Sequence, residues 1–261
     1  MRARILLGAL FATVAAGTTT AFAQGQGTIT DPPAQYVIPT SHYDTTPAAN
    51  FLGVSATLTQ DHLFAQGWWY RIAGDASEKF FPIPNTLNFP VGVTYTVGWT
   101  NVDGRGFNAT EIGTVINGGG PSGNVRFDMT ITNPGAAPMT IDLFNMTDVD
   151  LIGSGNDSAT LLTPNELIGI TDGTQTAQYR GVGATAFLVR PFGATDVGTV
   201  LSDGAVTNFD NSGLPFGPGD ITLGFQWAGI VVPAGESRTV TAVVAVNTTA
   251  VPVELTGFAV Q

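Results

Sequence analysis

The chain has 261 residues, 43% of them hydrophobic and only 11% charged, with 9 basic side chains against 20 acidic ones, a formal charge of -11, and no cysteine. Its apolar and aromatic content suffices for a core and excludes a disordered chain, while the acidic balance argues against a nucleic-acid partner. Disulfides and thiolate-bound metals are excluded outright, and with 2 histidines a histidine-rich metal site is nearly excluded as well.

Met1-Arg2-Ala3-Arg4 is a short basic start, Ile5 to Ala16 an apolar run too short to span a bilayer, and Ala21-Phe22-Ala23 a small-residue cleavage site. In that order they read as a secretory signal peptide over residues 1–23, with the mature chain starting at Gln24 and holding no integral membrane span. Export without cysteine suits a bacterial product that does not rely on disulfides, placed outside the cell or on its outer surface. Residues 24–50, rich in Gln, Gly, Thr and Pro, read as an extended lead-in with an edge strand at Tyr36-Val37-Ile38.

From Phe51 onward the pattern has period two. Val91, Val93, Tyr95, Val97 and Trp99 alternate with small or polar residues, as do Val125, Phe127, Met129 and Ile131, and Leu223, Phe225 and Trp227. Each run buries one face of a strand and wets the other. Thr132-Asn133-Pro134-Gly135 suits a type II turn, Val232 to Ser237 a second turn, and Asn117 to Gly123 a long hairpin tip. Between 139 and 151, Met139, Ile141 and Leu143 share one face while Phe144 and Met146 take the other, which marks a β-bulge or a strand crossing between sheets. Asp196 can cap a short helix holding Val197, Val200 and Leu201 and ended by Gly204. The expected fold is all-β: one large antiparallel sandwich over residues 51–261, immunoglobulin-like or of an extended kind, with one or two short helices.

Chemistry is sparse. His42 and His62 stand beside acidic residues, but neighbours in a strand point to opposite faces, which speaks against a triad. In Phe64 to Ile72 the alternation puts Phe64, Trp68, Tyr70 and Ile72 on a core face and Trp69 and Arg71 on the other. That second face is either an exposed platform, on which Trp69 stacks a sugar and Arg71 pairs a carboxylate, or covered like the first. Glu78, Glu111, Glu166, Glu236 and Glu254 are available for a glycosidase pair, with no spacing that couples two of them. Acidic loops at Asp148-Val149-Asp150, Asn156-Asp157, Asp172-Gly173 and Asp210-Asn211-Ser212-Gly213 offer hard oxygen ligands of the kind calcium takes. Asp148, Asp150 and Asp210 are the candidates, against the plain alternative that Asp and Asn populate turns for backbone reasons.

Trp68-Trp69-Tyr70-Arg71 with Gly74-Asp75, then Leu201 to Asn208, Gly213 to Asp220 and Phe225-Gln226-Trp227, carry a likeness. Over residues 50 to 250 the chain resembles exported β-rich proteins of Gram-negative bacteria that often bear a PEP-CTERM sorting tail. The closing stretch Val251 to Gln261 lacks the Pro-Glu-Pro signature, the apolar span and the basic end of such tails, so release or association with the outer surface is expected. The strand-turn-strand pieces around Asn133-Pro134-Gly135 and Pro233 to Ser237 are similar to those of bacterial immunoglobulin-like domains, a likeness of fold only. The function expected first is a non-catalytic structural or adhesive role at the cell surface or in the extracellular matrix. Its partners would be further copies of itself or a surface polysaccharide, with no cofactor other than calcium. The alternative is a carbohydrate-active protein, either a lectin-like binder using Trp69 or a glycoside hydrolase.

Overall fold

The structure, a computed structural model, describes residues 27–38, 50–53, 62–88, 92–120, 122–153 and 155–247. The signal-peptide segment, His42, Val91, Glu254 and the closing stretch lie outside the described residues. Strands β1 (Gly27–Asp31), β2 (Ala34–Ile38) and β3 (Asn50–Gly53) form a small sheet in that order. There follow β4 (Leu63–Ile72), β5 (Lys79–Phe80), β6 (Thr86–Asn88), β7 (Thr94–Trp99), β8 (Asn108–Gly119), β9 (Ser122–Thr132) and β10 (Met139–Val149). Next come β11 (Asp157–Thr163), β12 (Leu167–Thr171), β13 (Thr176–Val182), β14 (Ala186–Pro191), helix α1 (Val197–Leu201), β15 (Phe216–Gly219), β16 (Ile221–Val232) and β17 (Ser237–Val246). Two large antiparallel sheets result: five strands ordered β14-β16-β10-β4-β5, and nine ordered β15-β11-β12-β13-β17-β9-β8-β7-β6. The fold is an all-β sandwich of the extended kind.

The nine-stranded sheet obeys the alternation. Along β9, Val125, Phe127, Met129 and Ile131 are buried while Asn124, Arg126, Asp128 and Thr130 are half-exposed. Tyr95, Val97 and Trp99 of β7 are buried likewise, but Val93 before them is exposed. The facing side of the five-stranded sheet brings Trp68, Leu143, Phe225 and Trp227 into the same core. Across the layers Tyr179 packs on Phe225 at 4.6 Å, and its hydroxyl donates to the Asn145 side chain at 2.7 Å. Residues 27–38 are part of this core rather than a lead-in. Ile29, Ala34, Tyr36 and Ile38 are buried in it, Tyr36 stacks on Tyr95, and the Thr30 N–H donates to the Gly92 carbonyl. Polar, proline-containing sequence conceals that hairpin because only alternate residues need be apolar.

The five-stranded sheet is buried on its outer face too. Ala65, Trp69, Phe144, Met146, Ala186 and Leu188 point outward and are covered by Val197 and Leu201 of α1 and by Phe209 after it. Asp196 caps α1 as its position suggests, its carboxylate accepting from the Thr199 N–H at 2.6 Å. The cover lies close: a Cβ on Gly224 would stand 2.8 Å from both Phe209 and Val197. The register change near 141 is a bulge carried by the partner strand, where Ile141 pairs Ile230 but Leu143 pairs Trp227, so β16 holds the extra residue. β10 itself alternates without a break. Asn133 replaces the expected type II turn with a side-chain turn, its Oδ1 accepting from the Gly135 N–H at 3.0 Å.

The outermost strands of the large sheets are short or shielded. β5 has 2 residues, β6 has 3, and β15 has 4 including Pro218. β14 is flanked by the 210–213 loop: the Val189 N–H donates to the Ser212 carbonyl and the Asn211 N–H to the Phe187 carbonyl. That loop runs so close that a Cβ on Gly213, at φ +95, would stand 2.0 Å from the Val189 carbonyl oxygen.

Candidate functional site

Trp69 and Arg71 do share the outer face of β4, but they line no exposed groove. Trp69 is 6% exposed; its ring meets Phe80 at 4.6 Å and its Nε1 donates to the Ser202 Oγ at 3.0 Å. Arg71 donates to the carboxylates of Glu78 and Asp142, to Asn208 Oδ1 at 2.6 Å and to the Thr207 carbonyl at 3.2 Å. Glu78 in turn accepts from the Thr207 N–H at 3.1 Å. Both residues therefore fasten the cover, residues 196–209, onto the sheet. The period-two reading of their shared face is right; the cover arrives from some 130 residues downstream, where alternation carries no information about it.

Among the described residues the glutamates form no pair across a cleft. Glu78 is bound to Arg71, Glu166 to Arg180 and Glu236 to Arg238, while Glu111 is buried in the core and accepts from the Tyr95 hydroxyl. His62 is buried, with its Nε2 at 3.0 Å from the Gln175 Oε1.

The carboxylates that do converge are Asp148, Asp150 and Asp220, at one end of the five-stranded sheet. Asp148 and Asp150 share a face by alternation. β16 runs antiparallel with Asp148 opposite Thr222, so the same register continued by two residues brings Asp220 to Asp150. Asp210 does not join them. It is exposed in the loop beside β14, its carboxylate accepting from the Ser212 hydroxyl. Of the three acidic candidates named from the sequence, two lie in this cluster; Asp210 lies outside it and Asp220 stands in it instead, because strand register is not written in local spacing.

Above these carboxylates the chain bulges. Asp148 pairs Ala65 but Val149 pairs Leu63, leaving Phe64 as the extra residue, and bulges of this kind re-aim a side chain. Phe64 swings out to meet Phe192 edge to face at 5.7 Å, the two rings being 40% and 46% exposed. Phe64, Phe192, Asp148, Asp150 and Asp220 together line a pocket of about 190 Å³. Asp148 is 1% exposed and its Oδ1 has no hydrogen-bond partner.

Burial, reinforced by Asp150 and Asp220, pushes the Asp148 carboxyl up to about 9. Burial and Asp220 raise Asp150 to about 6. Asp157, also fully buried, rises to about 7 through burial, partly offset by the Leu151 N–H. An unfolded Asp titrates at roughly 3.9, so folding favours the protonated form of all three. Their contribution to stability is fully present below about pH 4 and is lost as pH rises through about 6, 7 and 9 in turn. Denaturant midpoints taken in chelator at about pH 5, 7 and 9 should fall in that order. A midpoint that holds or rises over this window would contradict the shared burial of these carboxyls.

No family model matches the sequence, and no curated protein matches it. Solved structures do resemble the fold. The Slr1438 protein from Synechocystis sp. PCC 6803 aligns with TM-score 0.55 at 9% identity, covering 88% of this chain and 99% of that one. A galactose mutarotase related enzyme from Lactobacillus acidophilus aligns at 0.54 and 8% identity, covering 88% and 100%. A galactose mutarotase-like protein from Lactobacillus casei ATCC 334 aligns at 0.50 and 9% identity, covering 85% and 100%. At such identities the likeness is one of fold, a mutarotase-like β-sandwich. Among the described residues no helix is long and apolar enough to cross a membrane.

Proposed function

We propose that this chain is an exported, non-catalytic protein of the bacterial surface or extracellular matrix that adheres to carbohydrate at the Phe64–Phe192 pocket. The observation that carries the reading is the pairing of two exposed rings with carboxylates in one concave site. A sugar presents apolar C–H faces and a rim of hydroxyls. The first pack on aromatic rings and the second donate to carboxylate oxygens, and pockets that recognise such ligands join an apolar wall to a few placed polar groups. Export rests on the basic, apolar and small-residue order of residues 1–23, and the resemblance to exported Gram-negative β-rich proteins agrees with it. Two structural neighbours, a galactose mutarotase-like protein and a galactose mutarotase related enzyme, add support at the level of fold.

A catalytic reading has one observation in its favour. Asp148 and Asp150 lie in one pocket with carboxyls pushed to about 9 and about 6, the kind of split that supplies an acid and a base. Polarimetry of freshly dissolved hexoses decides between the two: accelerated mutarotation that is lost in Asp150→Asn would replace adhesion by catalysis.

The test of adhesion is a glycan array probed with residues 24–261. Saturable binding to a defined sugar is expected, at least tenfold weaker in Phe64→Ala and Phe192→Ala and retained in Val206→Ala, an exposed apolar position remote from the pocket lining. Truncating these exposed rings should leave stability within about 0.5 kcal/mol. Absence of any glycan bound, or binding indifferent to both rings, would sink the proposal.

A further inference from the structure

We propose that Asp148, Asp150 and Asp220 bind a calcium ion at the floor of the Phe64–Phe192 pocket. Each residue offers a carboxylate oxygen, and these atoms all lie within 4.8 Å of one another. Calcium–oxygen bonds run to about 2.3–2.6 Å, so two ligands of one ion stand at most about 5 Å apart. The cluster fits one coordination sphere. A second observation is independent of that spacing: Asp148 is 1% exposed, lines the pocket, and carries an Oδ1 with no hydrogen-bond partner. The Asp150 Oδ1 is buried without a partner as well. Buried polar atoms are satisfied by some partner as a rule, and here the pocket is where that partner would sit. The antiparallel register adds a third reason. Continued past the strand ends, it brings like charges together at Asp150 and Asp220, which is unfavourable until a cation between them reverses the sign.

The donor set selects the ion. Carboxylate oxygens alone, with no histidine in the cluster and no cysteine in the chain, suit a hard cation over zinc or copper. Asp148 lies on β10 beside the bulge of its partner strand, Asp150 follows the end of β10, and Asp220 immediately precedes β16. Such an irregular arrangement suits calcium, which takes 6–8 oxygens in flexible geometry, better than magnesium, which requires a near-ideal octahedron. The pocket leaves room for water or ligand hydroxyls at the remaining positions. The inference stands on this geometry and not on the carbohydrate reading; where both hold, a sugar's hydroxyls complete the coordination and adhesion becomes calcium-dependent.

The test titrates calcium chloride alone into chelator-treated residues 24–261 by isothermal calorimetry. One ion per chain is expected, with affinity at least tenfold lower in Asp148→Asn, Asp150→Asn and Asp220→Asn and unchanged in Asp210→Asn. Asparagine keeps the side-chain volume, so in chelator the variants should melt no lower than the parent, and calcium should raise the midpoint of the parent and of Asp210→Asn only. No saturable binding up to about 10 mM, tenfold above the weakest extracellular calcium modules, overturns the site. So does binding that survives in Asp148→Asn and Asp220→Asn. Magnesium binding as tight as calcium overturns the choice of ion. No sugar enters this experiment, so its failure leaves the glycan result standing, and a blank glycan array leaves the calcium site standing.

Discussion

Trp69→Ala is expected to cost about 3–5 kcal/mol, as much as Trp99→Ala or Trp227→Ala. The three indoles are 6%, 2% and 3% exposed, and an indole of that burial removes on the order of 200 Å² from water. Trp69 stands at the centre of the second core, between Phe80, Phe144 and the residues of α1 and Phe209 that cover them. Its truncation loses the transfer energy of the ring, leaves a cavity between sheet and cover, and strips the Ser202 hydroxyl of its donor. A domain of this kind is stable by only about 5–15 kcal/mol, and no disulfide compensates. Denaturant melts of the three variants, compared at equal slope, measure this. A cost for Trp69→Ala under about 1 kcal/mol, the range of surface positions, would mean that the cover stands open in solution.

Arg71→Met should be of similar size, again about 3–5 kcal/mol, for a different reason. The Glu78 side chain is 0% exposed and the Arg71 side chain 12%. Methionine restores the apolar volume and leaves the Glu78 carboxylate buried without its cation, with Asp142 and the 207–208 segment released as well. Lysine should not rescue, because one ammonium cannot serve two carboxylates, an amide oxygen and a carbonyl that the planar fork reaches together. Glu78→Gln in the Arg71→Met background removes the orphaned charge, so the double variant should be more stable than the sum of the single costs implies. Additive costs, or a single cost below about 1 kcal/mol, would show that the pair contributes no more than a surface ion pair.

Much of the fold can be read from residue order alone. Alternation along β7, β9 and β16 identifies the core face of each, and Asp196 announces the only α-helix among the described residues. What alternation cannot convey is a second buried face. In β4 and β10 both sets of alternate residues contribute large apolar side chains, and Trp69 is covered only because α1 and Phe209 return across the sheet. The strand read at Tyr36-Val37-Ile38 is present within β2, but it is the inner strand of its sheet rather than an edge. β1 and the burial of the hairpin escaped because its polar residues face outward and hide Ile29, Ala34, Tyr36 and Ile38. The acidic site shows the same division. Asp148 and Asp150 are two apart in sequence, at and just past the end of β10, and can be matched by eye. Asp220 reaches them through inter-strand register, and Asp210, nearer in sequence to a glycine-rich loop, is a turn residue. Alternation puts Phe64 on the core face with Trp68 and Tyr70, yet its ring is exposed, because a bulge rather than periodicity decides where it points.

The short and shielded outer strands bear on how copies of this protein could be joined into a matrix. An open strand of ordinary length templates another chain, and rows of such strands polymerise into fibres. Here β5 and β6 are too brief to template, Pro218 interrupts β15, and the 210–213 loop already occupies the bonding groups of β14. Fibre growth by strand addition is therefore closed to the two large sheets. Cross-linking through a shared polymer, each copy gripping the same polysaccharide, requires no free edge and would keep the individual molecules exchangeable.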